Sequence, residues 1–421
     1  MEPGAASAIV DPALVSVVVV SRERPDSLIW CLTGLDGLDY PSFEVVVVAC
    51  PAGAAAVRQS RFGVKVKLID FDEANISEAR NRGIVQAAGE IVAFIDDDAV
   101  PEPSWLRHLV GAFASPRVSA AGGFVRGRNG ISFQWRAREV DCGGRARPLT
   151  VEGEAVQLPA PAPGWAVKTE GTNMAVRRDV LAAMGGFDPG FRFYLDETDL
   201  NLRLAALRRQ VAIVPLAQVH HAYAASARRR ADRAVTDLSE IGASTALFLR
   251  KHCPAQDRSA RLNEAMRDQQ MRVFDQLKAR LLRKSDVGPL IAGLKRGVQE
   301  GTQRPVTELA PLPGPMSGFL QFPPTRRGGT VLAGRVWQAR RLRQEAARRA
   351  AAGENVTLFL FGPSARYHRM RFDPAGFWEQ NGGLFGRSDR AAPLLRITGF
   401  EARLAREADR LAGLRRLDIA E

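Results

Sequence analysis

The sequence predicts an α/β fold with a mostly parallel sheet, followed by a helical segment and a small C-terminal α/β unit. Three apolar runs of strand length, Val15–Val20, Val45–Ala49 and Glu90–Ile95, lack a polar face, which is typical of central parallel strands. Helical patterns separate the runs, so strands and helices alternate along the chain. In such sheets ligands bind at the carboxyl ends of the strands.

The helices between these strands have clear sequence signals. Pro25 is placed to start the first, and Leu28, Cys31 and Leu32 fall on one face of it. The segment 76–88 has the same periodicity and stops at Gly89. Further helices are expected at 179–184, closed by two glycines, at 197–208, in the basic stretch 231–284 and at the end of the chain over 400–414.

The domain organisation follows from changes in composition. Residues 304–328 are rich in proline and glycine, which is typical of a linker. After them come a charged helix, 336–351, and a strand, 356–361, that resembles the start of a Rossmann-like unit. We therefore expect a catalytic domain at 14–255, a basic helical segment at 256–303, a linker at 304–335 and a small C-terminal unit at 336–421.

The net charge of +13 is unevenly distributed. Residues 1–225 contain 23 basic and 26 acidic residues, whereas the remainder contains 36 basic and 20 acidic residues. The basic C-terminal part could pack as a core, self-associate into a homo-oligomer or lie on an anionic membrane surface. Nucleic acid is not an expected partner, because the arginines lack the interleaved aromatic residues that stack on bases.

The cysteines and the N-terminus favour a cytoplasmic protein. Any membrane contact is expected to be peripheral, at the inner face of the membrane. The four cysteines show no metal or disulfide spacing, which fits a reducing compartment. The N-terminal residues lack the basic and apolar regions of a signal peptide. The longest apolar runs are too short or too interrupted to span a bilayer.

Three polar clusters are candidates for chemistry. Asp96, Asp97 and Asp98 end an apolar strand, and such crowded carboxylates favour a hard cation such as Mg²⁺ or Mn²⁺, although an exposed acidic turn is the alternative. The stretch 196–199 is also acidic, but acidic residues commonly occupy the first turn of a helix. His220 and His221 follow a strand-like run, and imidazole is a common metal ligand.

Taken in order, eight blocks of the chain resemble the family 2 glycosyltransferases of the GT-A fold. The resemblance covers about residues 14–255. Its blocks are Val15–Val20 with Ser21–Pro25, Phe43–Val48, Glu78–Gly83, the triplet Asp96–Asp98, Gly171–Arg178, Gly185–Asp188, Asp196–Leu200 and His221.

The resemblance implies roles for these residues. Asp96 and Asp98 match the DxD motif that binds a divalent cation at the donor diphosphate, and His221 matches a further metal contact, with His220 as the competing choice. The positions that match donor contacts are Ser21, Arg24, Arg80, Asp96, Asp97, Thr172 and Asn173. The implied donor is a UDP-, GDP- or dTDP-sugar, and the implied acceptor is a glycan or a lipid-linked glycan.

Two departures from the family pattern matter. Glu197 stands where the family has its catalytic aspartate, and Asp196 precedes it, so we expect Glu197 to be the base with Asp196 as second choice. Ala49 and Cys50 stand where the family usually has an aspartate that holds the nucleotide base. Base recognition by backbone groups, Asp70 or Asp72 is therefore left open.

The sequence thus predicts a metal-dependent inverting glycosyltransferase that acts in cell-surface polysaccharide or glycolipid assembly. The alternatives are a non-catalytic scaffold of a glycan-assembly complex, which the two departures would suit, and a nucleotidyltransferase. The second is disfavoured because the first strand is not followed by a glycine-rich loop that contains lysine.

Overall fold

The computed structural model describes residues 12–222 and 224–419, so the N-terminal residues considered for a signal peptide lie outside it. The strands are β1 (Val15–Ser21), β2 (Phe43–Ala49), β3 (Lys67–Asp70), β4 (Ile91–Asp96), β5 (Ala99–Pro101), β6 (Val118–Arg126), β7 (Phe133–Trp135), β8 (Arg138–Asp141), β9 (Ala146–Pro148), β10 (Trp165–Lys168), β11 (Met174–Arg177), β12 (Gln210–His221), β13 (Arg327–Arg335), β14 (Glu354–Gly362), β15 (Arg369–Phe372), β16 (Trp378–Gly383) and β17 (Asp418–Ile419). The helices are α1 (Pro25–Leu35), α2 (Pro51–Gln59), α3 (Ile76–Gln86), α4 (Trp105–Gly111), α5 (Arg178–Ala183), α6 (Asp196–Ala206), α7 (Ser239–His252), α8 (Arg258–Lys278), α9 (Lys284–Gln303), α10 (Ala339–Ala351) and α11 (Phe400–Leu411).

The large sheet confirms the predicted α/β class. Its strand order is β3-β2-β1-β4-β11-β6-β12-β5, with β7 beside β6. The strands β3, β2, β1 and β4 are all parallel, whereas the farther half of the sheet is mixed. Both faces of β1, β2 and β4 are covered, which explains their unbroken apolar sequences. Their carboxyl ends meet at one edge, where Val20 pairs with Asp96 and Ser21 with Ala49.

Strand β12 carries the two histidines to the same edge. It is a single strand across Pro215, and its register against β6 shifts between Val214 and Gln218. Proline donates no hydrogen bond to a ladder, so a bulge at this point accommodates it. The strand continues to His220 and His221, which pair with Val100 and Ala99 of β5.

The segment expected to be helical at 256–303 contains the two long helices α8 and α9, and the second packs closely on α7. A Cβ atom on Gly297 of α9 would lie 1.8 Å from the Ser239 carbonyl oxygen, and one on Gly301 would lie 2.2 Å from the Ala243 carbonyl oxygen. Only glycine permits this approach of two backbones. Helix α9 is therefore attached to the catalytic domain through α7, which follows β12 in the chain.

The proline-rich segment 304–326 has no helix or strand but is docked on the catalytic domain. Phe322 is fully buried, with its ring centroid 5.3 Å from that of Phe43 and 6.3 Å from that of Phe62. Its backbone N–H donates to the Phe43 carbonyl, and the N–H of Leu320 donates to Glu44. The segment thus packs against the catalytic domain at the amino end of β2.

The C-terminal unit is a small α/β sandwich. Its sheet has the order β15-β16-β14-β13-β17, in which β16, β14, β13 and β17 are parallel, and α10 connects β13 to β14. Strand β13 lies within the range expected as linker, because its glycine-rich sequence resembles a loop. The predicted helix from residue 336 begins as a 3₁₀ turn, Val336–Gln338, before α10.

The two α/β units share a buried interface at β5 and the end of β12. Arg415 donates two hydrogen bonds to Glu102, and its guanidinium lies 4.1 Å from the Trp378 ring centroid. Trp30 of α1 donates to the Phe372 carbonyl. Across the described ranges, no helix combines the length and the apolarity that crossing a bilayer requires.

Candidate functional site

The acidic triplet at the end of β4 is held by contacts with the neighbouring loops. Asp97 is fully buried, accepts a 2.7 Å hydrogen bond from the Ser21 hydroxyl and contacts the Arg24 guanidinium. Burial raises the pKa of Asp97 to about 7 against the opposing charge of Arg24. Asp98 also lies beside Arg24, at 3.2 Å, and accepts from the Ala224 N–H at 2.8 Å. Asp97 and Asp98 thus tie the loops after β1 and β12 to the end of β4.

The two histidines face opposite sides of β12, as successive strand residues must. Nε2 of His221 lies 3.2 Å from Oδ1 of Asp98, on the side of the carboxylates. His220 lies on the side of the C-terminal unit, where its ring packs at a tilt with its centroid 4.5 Å from that of Trp378 and hydrogen-bonds Glu102 at 2.7 Å. Burial lowers the pKa of His220 to about 4, so this ring is neutral and structural. The geometry therefore favours His221 over His220 as the metal contact.

Asp96, Asp98 and His221 fit a divalent cation. Each offers one ligand atom, and these atoms all lie within 4.8 Å of one another. Nδ1 of His221 lies 3.1 Å from Oε1 of Gln134, and a proton donated from Nδ1 to that oxygen would leave the Nε2 lone pair for a metal. Two carboxylates and one imidazole suit Mn²⁺, and the carboxylates alone suit Mg²⁺.

Arg80 of α3 connects this cluster to the second acidic stretch. It is buried, its Nη2 lies 3.4 Å from Asp96, and its Nη1 contacts Asp196. A Cβ atom on Gly171 would lie 2.6 Å from Nη2 of Arg80, so any other residue at this position would displace the guanidinium. In the structure Arg80 links the two carboxylate groups, and its contact with a donor stays a prediction.

The second acidic stretch begins at a distorted turn. Tyr194 and Leu195 have φ values of +73° and +67°, a conformation that costs non-glycine residues energy and is common at functional sites. Helix α6 starts directly afterwards, which brings Asp196 inward to Arg80 and leaves Glu197 partly accessible, with 20% of its side chain exposed.

Glu197 lies in a chain of alternating charges that the sequence analysis missed. Lys168, at the end of β10, bonds Glu197 at 2.9 Å and Glu170 at 3.1 Å, and Arg138 in turn binds Glu170. Lys168 ends a short strand, Trp165–Lys168, and its position at the end of that strand was the one signal available in the sequence. The glycines and prolines of the surrounding region resemble a loop and hid this strand.

The pKa values of the neighbouring Asp196 and Glu197 carboxyls are shifted in opposite directions. Burial acts to raise the pKa of Glu197, but the ammonium of Lys168 outweighs burial and holds that pKa below its usual range. Burial raises the pKa of Asp196 despite the opposing charge of Arg80. Glu197 is therefore the carboxylate that is both ionised at neutral pH and reachable from solvent.

Other residues from the sequence analysis have structural positions. Asn173 is fully buried: its amide donates to the Phe124 and Ala217 carbonyls and accepts from the Trp105 indole. The neighbouring Thr172 is also buried, and its hydroxyl has no partner among the described residues. The structure thus brings Asn173 to the site as a support between strands rather than as an open side chain.

A cavity of about 360 Å³ lies at the carboxyl ends of β1 and β2, beside the carboxylates. Its polar lining comes from Ser21, Arg22, Glu23, Arg24, Glu73, Asn75, Arg192, Ser226 and Arg228. Cys50 accepts a 3.2 Å hydrogen bond from the Glu23 N–H, Asp70 pairs with Arg58, and Asp72 pairs with Arg22 of the lining. Glu23 and Glu73 are the carboxylates of the lining, whereas Asn75 caps α3 by accepting from the Glu78 N–H.

Comparison with known proteins identifies similar sequences for the first half of the chain. Residues 12–236 match the family described as "Glycosyltransferase like family 2". The chain is 30% identical over 242 residues to the O-antigen biosynthesis protein RfbC of Myxococcus xanthus, over 52% of this chain and 18% of that protein. It is 26% identical over 216 residues to the pre-mycofactocin glycosyltransferase of Mycobacterium tuberculosis, over 49% of this chain and 42% of that protein.

A third relative and a solved structure are also similar to this chain. The glucosyl-dolichyl phosphate glucuronosyltransferase of Haloferax volcanii is 30% identical over 190 residues, covering 41% of this chain and 56% of that protein. This chain thus spans less than two thirds of each of these relatives. The structure of a mannosyltransferase from Pyrobaculum calidifontis with GDP-Man and Mn²⁺ aligns with a TM-score of 0.42 and 17% identity, covering 69% of this chain and 87% of that one.

Proposed function

This chain belongs to the family 2 glycosyltransferases, and from that membership we propose that it transfers a sugar from a nucleotide-diphosphate donor to a hydroxyl group, with inversion at the anomeric carbon. The observation that carries the proposal is the convergence of two groups. The Asp96, Asp98 and His221 cluster lies at one edge of the sheet, and Arg80 links Asp96 to Asp196, the residue before the accessible Glu197.

The cavity at the carboxyl ends of β1 and β2 is the proposed site of the nucleotide. It adjoins the carboxylate cluster, so a nucleoside placed there directs its diphosphate toward Asp96 and Asp98. Glu73 is the proposed contact of the base, because it lines the cavity and Ala49 offers no side-chain acceptor. The donor class is a UDP-, GDP- or dTDP-sugar.

Glu197 is the proposed general base. Its ionised carboxylate accepts the proton of the acceptor hydroxyl as that oxygen forms a bond to C1 of the donor sugar and the nucleoside diphosphate departs. Lys168 orients Glu197 through their 2.9 Å hydrogen bond and keeps it ionised. Arg80 pairs with Asp196, so that Glu197 is the carboxylate left to face the acceptor.

Asp96, Asp98 and His221 would hold Mg²⁺ or Mn²⁺. A divalent cation at this place supplies positive charge to the departing diphosphate. Arg24 adds a fixed cation next to Asp98 and lines the cavity. Gln134 fixes the orientation of the His221 ring.

The proposed role is cell-surface polysaccharide or glycolipid assembly, with a glycan or lipid-linked acceptor. The support is the O-antigen and dolichyl phosphate named for two relatives, and the charge of the chain beyond residue 225. Since such acceptors are bound to membranes, we place the enzyme in the cytoplasm at the inner face of an anionic membrane.

The base is tested by Glu197→Gln with Asp196→Asn as the adjacent comparison. Release of nucleoside diphosphate is measured for a panel of UDP-, GDP- and dTDP-sugars, donor binding by calorimetry, and the product anomer by NMR. Glu197→Gln should lose at least about a hundredfold in kcat with donor affinity unchanged, since general bases contribute that much. Full activity would refute the assignment, and donor binding by wild type without turnover of any sugar would favour the scaffold.

The metal site is tested with the adjacent histidines. His221→Ala should weaken Mn²⁺ binding measured by calorimetry, while His220→Gln should leave it nearly unchanged, because His220 faces Trp378. Equal losses in both variants, with both folded, would contradict the assignment of His221.

A further inference from the structure

The C-terminal unit exposes an unusual number of large apolar side chains at one edge. They are Val336 (43% exposed), Trp337 (70%), Tyr367 (51%), Leu394 (61%), Leu395 (57%) and Ile397 (87%). Single exposed apolar residues are ordinary, but a group of this kind marks an interaction site. We call this group the apolar edge.

Contacts between the backbone segments show that the apolar edge is one surface. The segments follow β13, β14 and β16 at the carboxyl ends of parallel strands. Gly386 forms a bridge with Leu395, and the Phe385 N–H donates to the Ser364 carbonyl. The Arg335 guanidinium covers the Phe400 ring at 4.8 Å, which joins the end of β13 to the start of α11.

The same segments are strongly basic. Residues 335–341, 363–368 and 385–401 contain seven arginines and two carboxylates. Arg340, Arg341, Arg366 and Arg396 are exposed, and among the described residues none of these four forms an ion pair. Most basic residues elsewhere have acidic partners, so this edge carries an uncompensated positive charge.

We propose that the apolar edge is a docking surface for an anionic lipid bilayer. An interfacial surface needs apolar side chains that enter the headgroup region and arginines that meet lipid phosphates, and an exposed tryptophan suits that boundary. Charge complementarity selects the bilayer over a second copy of this chain, because two such edges would repel each other. The inference deepens the proposed membrane location and does not depend on the transfer chemistry.

The test uses the full-length protein and vesicles of phosphatidylcholine with or without phosphatidylglycerol. Flotation should show binding to the anionic vesicles that is lost at high salt. Each basic residue near an anionic surface contributes about fivefold, so Arg340→Gln with Arg341→Gln should weaken binding by about 25-fold. Trp337→Ser and Ile397→Ser should each weaken it by about tenfold.

Matched controls lie on the catalytic domain. Arg208→Gln with Arg209→Gln removes an equally exposed arginine pair, and Val64→Ser removes a valine that is 88% exposed. Both should bind vesicles like wild type, as should Glu197→Gln, which separates this inference from the transfer mechanism. Equal binding by edge and control variants would overturn the proposal, and so would a dimer in light scattering that Trp337→Ser converts to a monomer.

Discussion

The ion pair between Lys168 and Glu197 makes a sharp prediction about pH dependence. Lys168→Met removes the cation that holds the Glu197 pKa low, so this pKa should rise and the acid limb of the pH–rate profile should move to higher pH. The base must be ionised to act, so activity in the variant is lost at pH values where wild type still works.

The magnitude follows from the geometry. At a 2.9 Å separation and an effective dielectric constant of about 20, the attraction between the two charges is roughly 6 kcal/mol. Glu170 shares the ammonium at 3.1 Å, and burial of Lys168 opposes its charge, so the net effect is smaller. We expect a shift of about 1–3 pKa units, equivalent to roughly 1.4–4 kcal/mol.

The assay is kcat/KM for donor turnover across pH, in wild type, Lys168→Met and Lys168→Arg. The arginine variant retains the charge and should keep the limb near its wild-type position. Asp196 titrates in the same pair, so the profiles are repeated in the Asp196→Asn background. A folded Lys168→Met variant that loses activity with its acid limb unmoved would refute this role of Lys168.

Two predictions concern stability. Arg415→Met leaves Glu102 buried without its cation and should lower the free energy of unfolding by about 3–5 kcal/mol. Arg416→Met removes a side chain that is 66% exposed and should lower it by less than about 1 kcal/mol. Chemical denaturation compares the two variants, and equal losses would contradict the argument from burial. Phe322→Ala should cost about 3–5 kcal/mol by removing the ring packed on Phe43, with kcat unchanged; an unaltered melting temperature would show that the segment 304–326 is not docked in solution.

Sequence patterns were most informative where local rules apply. Val15–Ser21 could be recognised as a buried parallel strand because both of its faces are apolar, and α3 could be recognised from its helical periodicity. The segment 304–326 was recognised as irregular, but not as docked. Its contacts join Phe322 to residues about 280 positions away, and no local periodicity reports such a contact.

The site divides in the same way. Asp96–Asp98 and the acidic turn at Asp196 could be recognised from the sequence, because each is a group of acidic residues at the end of a strand or the start of a helix. Neighbouring carboxylates repel each other, so such a group indicates a bound cation or a basic partner. Lys168 and Gln134 were not visible, because each acts only through a partner brought near by the fold.

By itself, the sequence determined the α/β class, the family and the acidic residues at the strand ends, since these depend on periodicity and on residue type. Only the tertiary structure decided that His221 rather than His220 faces the carboxylates, that Glu197 rather than Asp196 stays accessible, and that Arg80 joins the two acidic groups. The reason is physical: a side chain's direction, burial and charge partners depend on residues that lie far apart in the chain and meet only when it folds.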